Sequence, residues 1–88
     1  MTTNEIKKKL KNIIVHELNL EDITPEEIDD DIILFGQDGL GLDSLDAVEL
    51  VVQIQKYFGV EIKNMEEGRP ALRSVNTLSD FIIKRILK

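Results

Sequence analysis

Apolar residues recur at helical spacing in three separate stretches of this chain. Over 4–18, Ile6, Leu10, Ile13, Ile14 and Leu18 fall on one face of a 3.6-residue repeat, and the lysines take the opposite face. Thr3 or Asn4 supplies the N-cap. Over 44–58, Leu45, Val48 and Val52 make one stripe, and Ala47, Val51, Ile54 and Phe58 a neighbouring one. This second helix is apolar over a wide arc, which predicts that it is the most buried of the set. Asp43 suits its N-cap and Asp46 its first turn, while Gly59 suits a left-handed end with Val60 folding back. Over 76–87, Leu78, Phe81, Ile82 and Ile86 share a face, with Asn76 or Thr77 as cap and Lys84, Arg85 and Lys88 at the cation-favouring end.

The intervening segments are less periodic. Residues 19–43 form a long connection. Thr24-Pro25-Glu26-Glu27 reads as a helix start, with Thr24 capping, Pro25 first and Glu27 closing a capping box, and at most one short turn follows. Ile32, Ile33, Leu34 and Phe35 form an apolar plug that favours packing of the loop on the core. Gly36, Gly39 and Gly41 give the backbone freedom ahead of Ser44. Between 60 and 75, Val60 and Ile62 are too few for a sheet. Met65 to Leu72 offers a short helix weakened by Gly68 and Pro70. The predicted fold is all-α: an antiparallel four-helix bundle with three main helices, one short helix and a long first loop.

Size and charge narrow the function. With 88 residues, 1–88 is read as a single domain whose core is one thin layer. Aromatics are 5%, so Leu, Ile and Val must fill that core. There is no cysteine, which excludes disulfides, thiolate metal sites and catalytic thiols and fits a reducing, cytoplasmic setting. No signal peptide or membrane-spanning run is expected. The formal charge is −6, and the acidic middle from Glu17 to Glu49 contains no Lys or Arg. That argues against a nucleic-acid ligand and predicts partners with basic surfaces that read the acidic middle.

The chemistry concentrates at Gly41-Leu42-Asp43-Ser44-Leu45-Asp46, where a glycine-rich loop enters the second helix. A serine there stands at a positive helix end with free N–H groups, a place suited to a phosphate ester. On the residues alone, a plain first-turn serine is the simpler reading, and Asp46 and Glu49 read as solvated helix charges. Asp29-Asp30-Asp31 fails the calcium-loop template, because counting from Asp31 puts Ile33 and Leu42 at ligand positions, so a solvated acidic loop is expected. Gly39-Leu40-Gly41 follows no strand, and Ser44 occupies the place of a third glycine, which removes a dinucleotide fingerprint. His16 lies off the apolar stripe as a surface residue. No metal site and no nucleophile–base pair stand out, so no catalysis is expected.

Taken together, Phe35-Gly36-Gln37-Asp38, Leu42-Asp43-Ser44-Leu45-Asp46-Ala47-Val48-Glu49-Leu50-Val51, Tyr57-Phe58-Gly59-Val60-Glu61-Ile62 and Ser74-Val75-Asn76-Thr77-Leu78-Ser79-Asp80-Phe81-Ile82 resemble the acyl carrier protein family over nearly the whole chain. The resemblance implies that Ser44 bears 4′-phosphopantetheine, transferred from coenzyme A by a separate Mg²⁺-dependent phosphopantetheinyl transferase. The arm's thiol would hold acyl intermediates as thioesters for fatty-acid, polyketide or related biosynthetic enzymes. It also implies that Asp43, Leu45, Asp46 and Glu49 form the face that partners with basic docking surfaces read, and that Val48, Val52 and Ile62 line an acyl-chain pocket. A monomer is expected.

Three departures point to a specialised carrier instead of the housekeeping one. The loop Asp38-Gly39-Leu40-Gly41-Leu42-Asp43 is one residue longer than in the common fatty-acid carriers. The segment Asn64 to Arg73 is also longer and holds Gly68-Arg69-Pro70. Gln55 and Lys56 stand where such carriers usually have acids. Two other readings stay open on the sequence: an aminoacyl or peptidyl carrier, and a helical interaction module without a prosthetic group.

Overall fold

A computed structural model describes residues 2–37 and 39–86, with Met65 described by its backbone only. Asp38, Leu87 and Lys88, singled out above, lie outside the described residues. The chain forms α1 (Thr3–Glu17), a single 3₁₀ turn (Pro25–Glu27), α2 (Ser44–Phe58), α3 (Met65–Ala71) and α4 (Val75–Ile86). There is no strand among the described residues, only an isolated parallel bridge between Phe35 and Leu42. The result is the expected four-helix bundle. α1 packs on α4, on α2 and on the 3₁₀ turn, and α3 packs on α4.

The helix ends follow from local chemistry. α1 starts one residue earlier than the sequence suggests, because Thr2, not Thr3 or Asn4, is its cap. The Thr2 Oγ1 accepts from the Glu5 N–H, and the Glu5 carboxylate accepts from the Thr2 N–H, both at 3.1 Å. At the other end Asn19 takes a left-handed φ of 55°, and the Leu20 N–H reaches back to the Val15 carbonyl at 2.9 Å. α2 ends at Gly59 with φ 67°, and Val60 is buried behind it, as expected. α4 is capped by Ser74, not Asn76 or Thr77. The Ser74 Oγ accepts from the Thr77 N–H at 3.2 Å, while the Thr77 Oγ1 accepts from the Ser74 N–H at 2.9 Å. α3 forms despite Gly68 and Pro70. Asn64 caps it, accepting from the Glu67 N–H at 2.9 Å, and Pro70 falls in its last turn, where only one hydrogen bond is forfeited.

The core corrects one expectation. α1, not α2, is the most buried helix: Ile6, Leu10, Ile13, Ile14 and Val15 all face inward. α2 buries Ala47, Leu50, Gln53 and Ile54, but Leu45, Val48 and Val52 are 78%, 62% and 51% exposed. The stripe of Leu45, Val48 and Val52 therefore faces away from the core. α4 adds Val75, Leu78 and Ile82, and the connections add Ile28, Leu34, Leu42, Val60 and Leu72. In the apolar plug only Leu34 is fully buried; Ile32 and Phe35 are half-buried and Ile33 is exposed.

The acidic loop is not merely solvated. The Asp30 carboxylate pairs with Lys11 at 2.7 Å and with Lys7 at 3.5 Å, and the Asp30 carbonyl accepts from the Asn76 N–H at 2.9 Å. The Asn76 side-chain amide donates to the Asp31 carboxylate. Two neighbouring aspartates thus fasten the long loop to α1 and α4. The Tyr57 hydroxyl donates to the Glu17 carboxylate at 3.0 Å and joins the ends of α1 and α2.

Candidate functional site at the start of the second helix

The loop ahead of Ser44 is stitched to itself. The Leu40 N–H donates to the Ile33 carbonyl at 3.0 Å, the Leu42 N–H to Leu34 at 3.2 Å and the Gly36 N–H to Leu42 at 3.2 Å. Gly36 and Gly41 take φ of 90° and 76°, which favours glycine. Gly39 is required for a different reason: a Cβ there would lie 1.6 Å from the Ile33 carbonyl oxygen. Leu42 is buried and anchors the chain just before it turns into α2.

Ser44 is the first residue of α2 and is exposed. Its neighbours form a reciprocal cap. The Asp46 N–H donates to the Asp43 carboxylate, and the Asp43 N–H donates to the Asp46 carboxylate, both at 3.0 Å. The hydroxyl is therefore held on a rigid turn, open to an incoming molecule, at the end of the helix that favours negative charge. Glu49, one turn along, is exposed and accepts from the Gln53 side-chain amide at 2.8 Å.

Beside Ser44 opens a cavity of about 740 Å³. α2 contributes Ser44, Ala47 and Val48, with Asp43 at its cap. The loop contributes Ile33, Phe35 and Leu42. The end of α3 and the turn after it contribute Arg69, Pro70, Leu72 and Arg73. The volume lies in the range that holds a small molecule. Of the residues expected to line an acyl pocket, Val48 lies in this wall. Val52 sits one turn further along α2, and Ile62 is half-buried against the core; neither lines the cavity. The contributions of Arg69, Leu72 and Arg73 were not foreseen. Their signal was present in the departure at Gly68-Arg69-Pro70 and in the three- and four-residue spacings from Arg69, but a segment of uncertain conformation offered no face to assign them to. A second depression, about 280 Å³ between α1 and the Pro25 turn, is lined mainly by charged residues such as Lys7, Lys11 and Asp30 that already pair with one another.

This arrangement fits a covalent phosphate-linked group: an exposed hydroxyl, free helix amides beside it, and an apolar cavity adjoining it. A family model described as "Phosphopantetheine attachment site" matches residues 8–66, which include Ser44. The chain is 35% identical over 88 residues to the acyl carrier protein of Thermosynechococcus vestitus, covering 98% of each protein. It is 36% identical over 87 residues to that of Chlorobium phaeobacteroides and 37% to that of Chlorobium phaeovibrioides, covering 97% of this chain and all of each relative. The chain belongs to the acyl carrier protein family. The family's role is to carry acyl intermediates, and its cofactor is covalent phosphopantetheine. Among the described residues no helix is long and apolar enough to cross a membrane.

Proposed function

We propose that Ser44 is the attachment point of the 4′-phosphopantetheine arm and that the chain acts as a single, non-catalytic carrier domain. The observation that carries this reading is the exposed Ser44 hydroxyl on the first residue of α2, flanked by the reciprocal Asp43–Asp46 cap and open to the adjoining cavity. Once attached, the arm supplies a thiol that holds acyl groups as thioesters. The protein's own part is to hold the hydroxyl still, keep it solvent-facing and present a recognition face around it. It needs no base or metal of its own, because a phosphopantetheinyl transferase brings both.

The recognition face in this reading is Asp43, Leu45, Asp46 and Glu49. Leu45 is the most exposed large apolar residue of α2, and an apolar side chain ringed by carboxylates suits partners with basic rims around an apolar contact. Val48 would form the near wall for cargo, with Val52 and Ile62 as further contacts for chains that outgrow the cavity. A monomer working in the cytoplasm on a dedicated pathway is the setting that the missing cysteines and the departures near Gly39 and Arg69 support.

Incubation with coenzyme A, Mg²⁺ and a broad-specificity transferase, followed by mass spectrometry, tests the proposal. The expected result is a mass gain of one arm, abolished in Ser44→Ala. An unchanged wild-type mass, or a gain that survives Ser44→Ala, overturns it.

A further inference from the structure

The cavity beside Ser44 carries an unusual charge balance. The protein has a formal charge of −6, and 17–49 lacks any Lys or Arg, yet α3 and the turn after it bring two arginines to the lining. The one carboxylate in the lining, Asp43, is engaged by the Asp46 N–H in the helix cap. Among the described residues, neither Arg69 nor Arg73 forms an ion pair; the pairs present are Lys7 and Lys11 with Asp30, and Arg85 with Glu67. Arg69 and Arg73 are exposed residues of the lining, while Ile33, Phe35, Leu42, Val48 and Leu72 make most of it apolar.

The backbone holds both arginines in place. Arg69 lies in the last turn of α3, followed directly by Pro70, whose ring fixes the local φ. The Arg73 carbonyl accepts from the Leu34 N–H at 2.9 Å, which ties that residue to the loop forming the neighbouring wall. Leu72, between them, is buried. The backbone positions from which the two side chains extend are therefore set by the same packing that shapes the cavity.

We infer that Arg69 and Arg73 form an oxyanion-binding rim that makes this cavity selective for acyl cargo ending in a carboxylate. The inference rests on Ser44 being the attachment point. An aliphatic chain satisfies the apolar lining and makes no use of the cations. A carboxylate drawn against that lining without a partner would be costly, whereas guanidinium groups accept it through paired, charge-assisted hydrogen bonds. The arm's own phosphodiester is the other oxyanion within the site. It would stay tied to Ser44 at the start of α2, whereas Arg69 lies in α3 and Arg73 in the turn after it. The cations thus match a group that extends across the cavity.

The test loads wild type, Arg69→Gln/Arg73→Gln and Arg69→Lys/Arg73→Lys proteins with adipyl- or hexanoyl-phosphopantetheine from the corresponding coenzyme A thioesters. The two cargoes have equal carbon count and differ in the terminal carboxylate. Loading is confirmed by mass, so a failure to load counts against the Ser44 assignment and is distinguishable from a failure of selectivity. Thioester cleavage by hydroxylamine is then measured, each rate normalised to the same thioester of coenzyme A. The expected result is roughly fivefold greater protection of adipyl than of hexanoyl cargo in wild type, lost in the double Gln variant, partly retained in the double Lys variant and weakened by high salt. Equal protection of both cargoes in wild type, or adipyl protection unchanged in the Gln variant, overturns the inference. So does a ³¹P shift of the arm without cargo that changes between wild type and the Gln variant while cargo discrimination is absent, since the rim would then serve the phosphodiester.

Discussion

Asp43 and Asp46 exchange two hydrogen bonds of 3.0 Å across the first turn of α2, and Ser44 stands between them. Two acids in a capping box satisfy backbone donors at a helix start while placing negative charge where the helix dipole favours it. The pair therefore serves stability in addition to its place in the proposed recognition face. Asp43→Ala should cost about 1 kcal/mol of stability, read as a lower urea midpoint, whereas Asp43→Asn should cost much less because the amide oxygen can still accept from the Asp46 N–H. Equal losses in the two variants would show that charge, not the cap, is what matters.

Leu45 separates the proposed recognition role from folding. At 78% exposure its side chain gives almost nothing to the core, so Leu45→Ala should leave thermal stability within about 0.5 kcal/mol of wild type. The same change should raise the transferase KM roughly tenfold if the residue is a contact hot spot. Glu49→Lys should also raise KM and should flatten the salt dependence of the wild-type reaction. Steady-state loading kinetics at two salt concentrations check both.

Asp30 gives the fold an acid-sensitive fastening. The hydrogen bond from Lys11, reinforced by the charges of Lys11 and Lys7, holds its carboxyl below the ordinary aspartate range, against a smaller opposing effect of burial. A depressed folded-state value means that the stabilisation is complete above the unfolded-state value and is lost as pH falls through the folded one. The pairs are part-exposed and screened, so Asp30→Asn should cost only about 0.5–1 kcal/mol at neutral pH. The gap between variant and wild type should close as the solution is acidified below the usual aspartate range. Thermal melts across that range check the sign.

Gly39 tests the stitched loop. A methyl group there meets the Ile33 carbonyl oxygen at 1.6 Å, so Gly39→Ala must displace the backbone. A loss of about 1–3 kcal/mol is expected, together with faster hydrogen exchange at the Leu40 and Leu42 amides, which donate into Ile33 and Leu34. Unchanged exchange at those two amides would mean that the loop tolerates the methyl.

Much of this architecture could be read from the sequence, and the misses have specific causes. The bounds of α2 are those expected, because Asp43 and Gly59 are strong signals at its two ends. The first and last helices were displaced by a residue, since several neighbouring hydroxyl and amide side chains could cap and only tertiary packing chooses Thr2 and Ser74. The ranking of burial failed for α2 because hydrophobicity does not distinguish a face turned to the core from one left open for partners and cargo. Leu45, Val48 and Val52 belong to such an open face. The Ser44 turn was legible as a motif. The cavity was not, because its far wall comes from α3, whose conformation depends on packing against α4 and on the Arg73–Leu34 hydrogen bond.

The bond between Tyr57 and Glu17 has an optical consequence. The chain holds one tyrosine and no tryptophan, so that phenol dominates its near-ultraviolet absorption. The carboxylate of Glu17 accepts a hydrogen bond from its hydroxyl and pushes its ionisation upward, so separation of α1 from α2 returns the phenol to its ordinary titration range. Spectrophotometric titration in alkali thus reports, without any added label, whether those two helix ends remain joined.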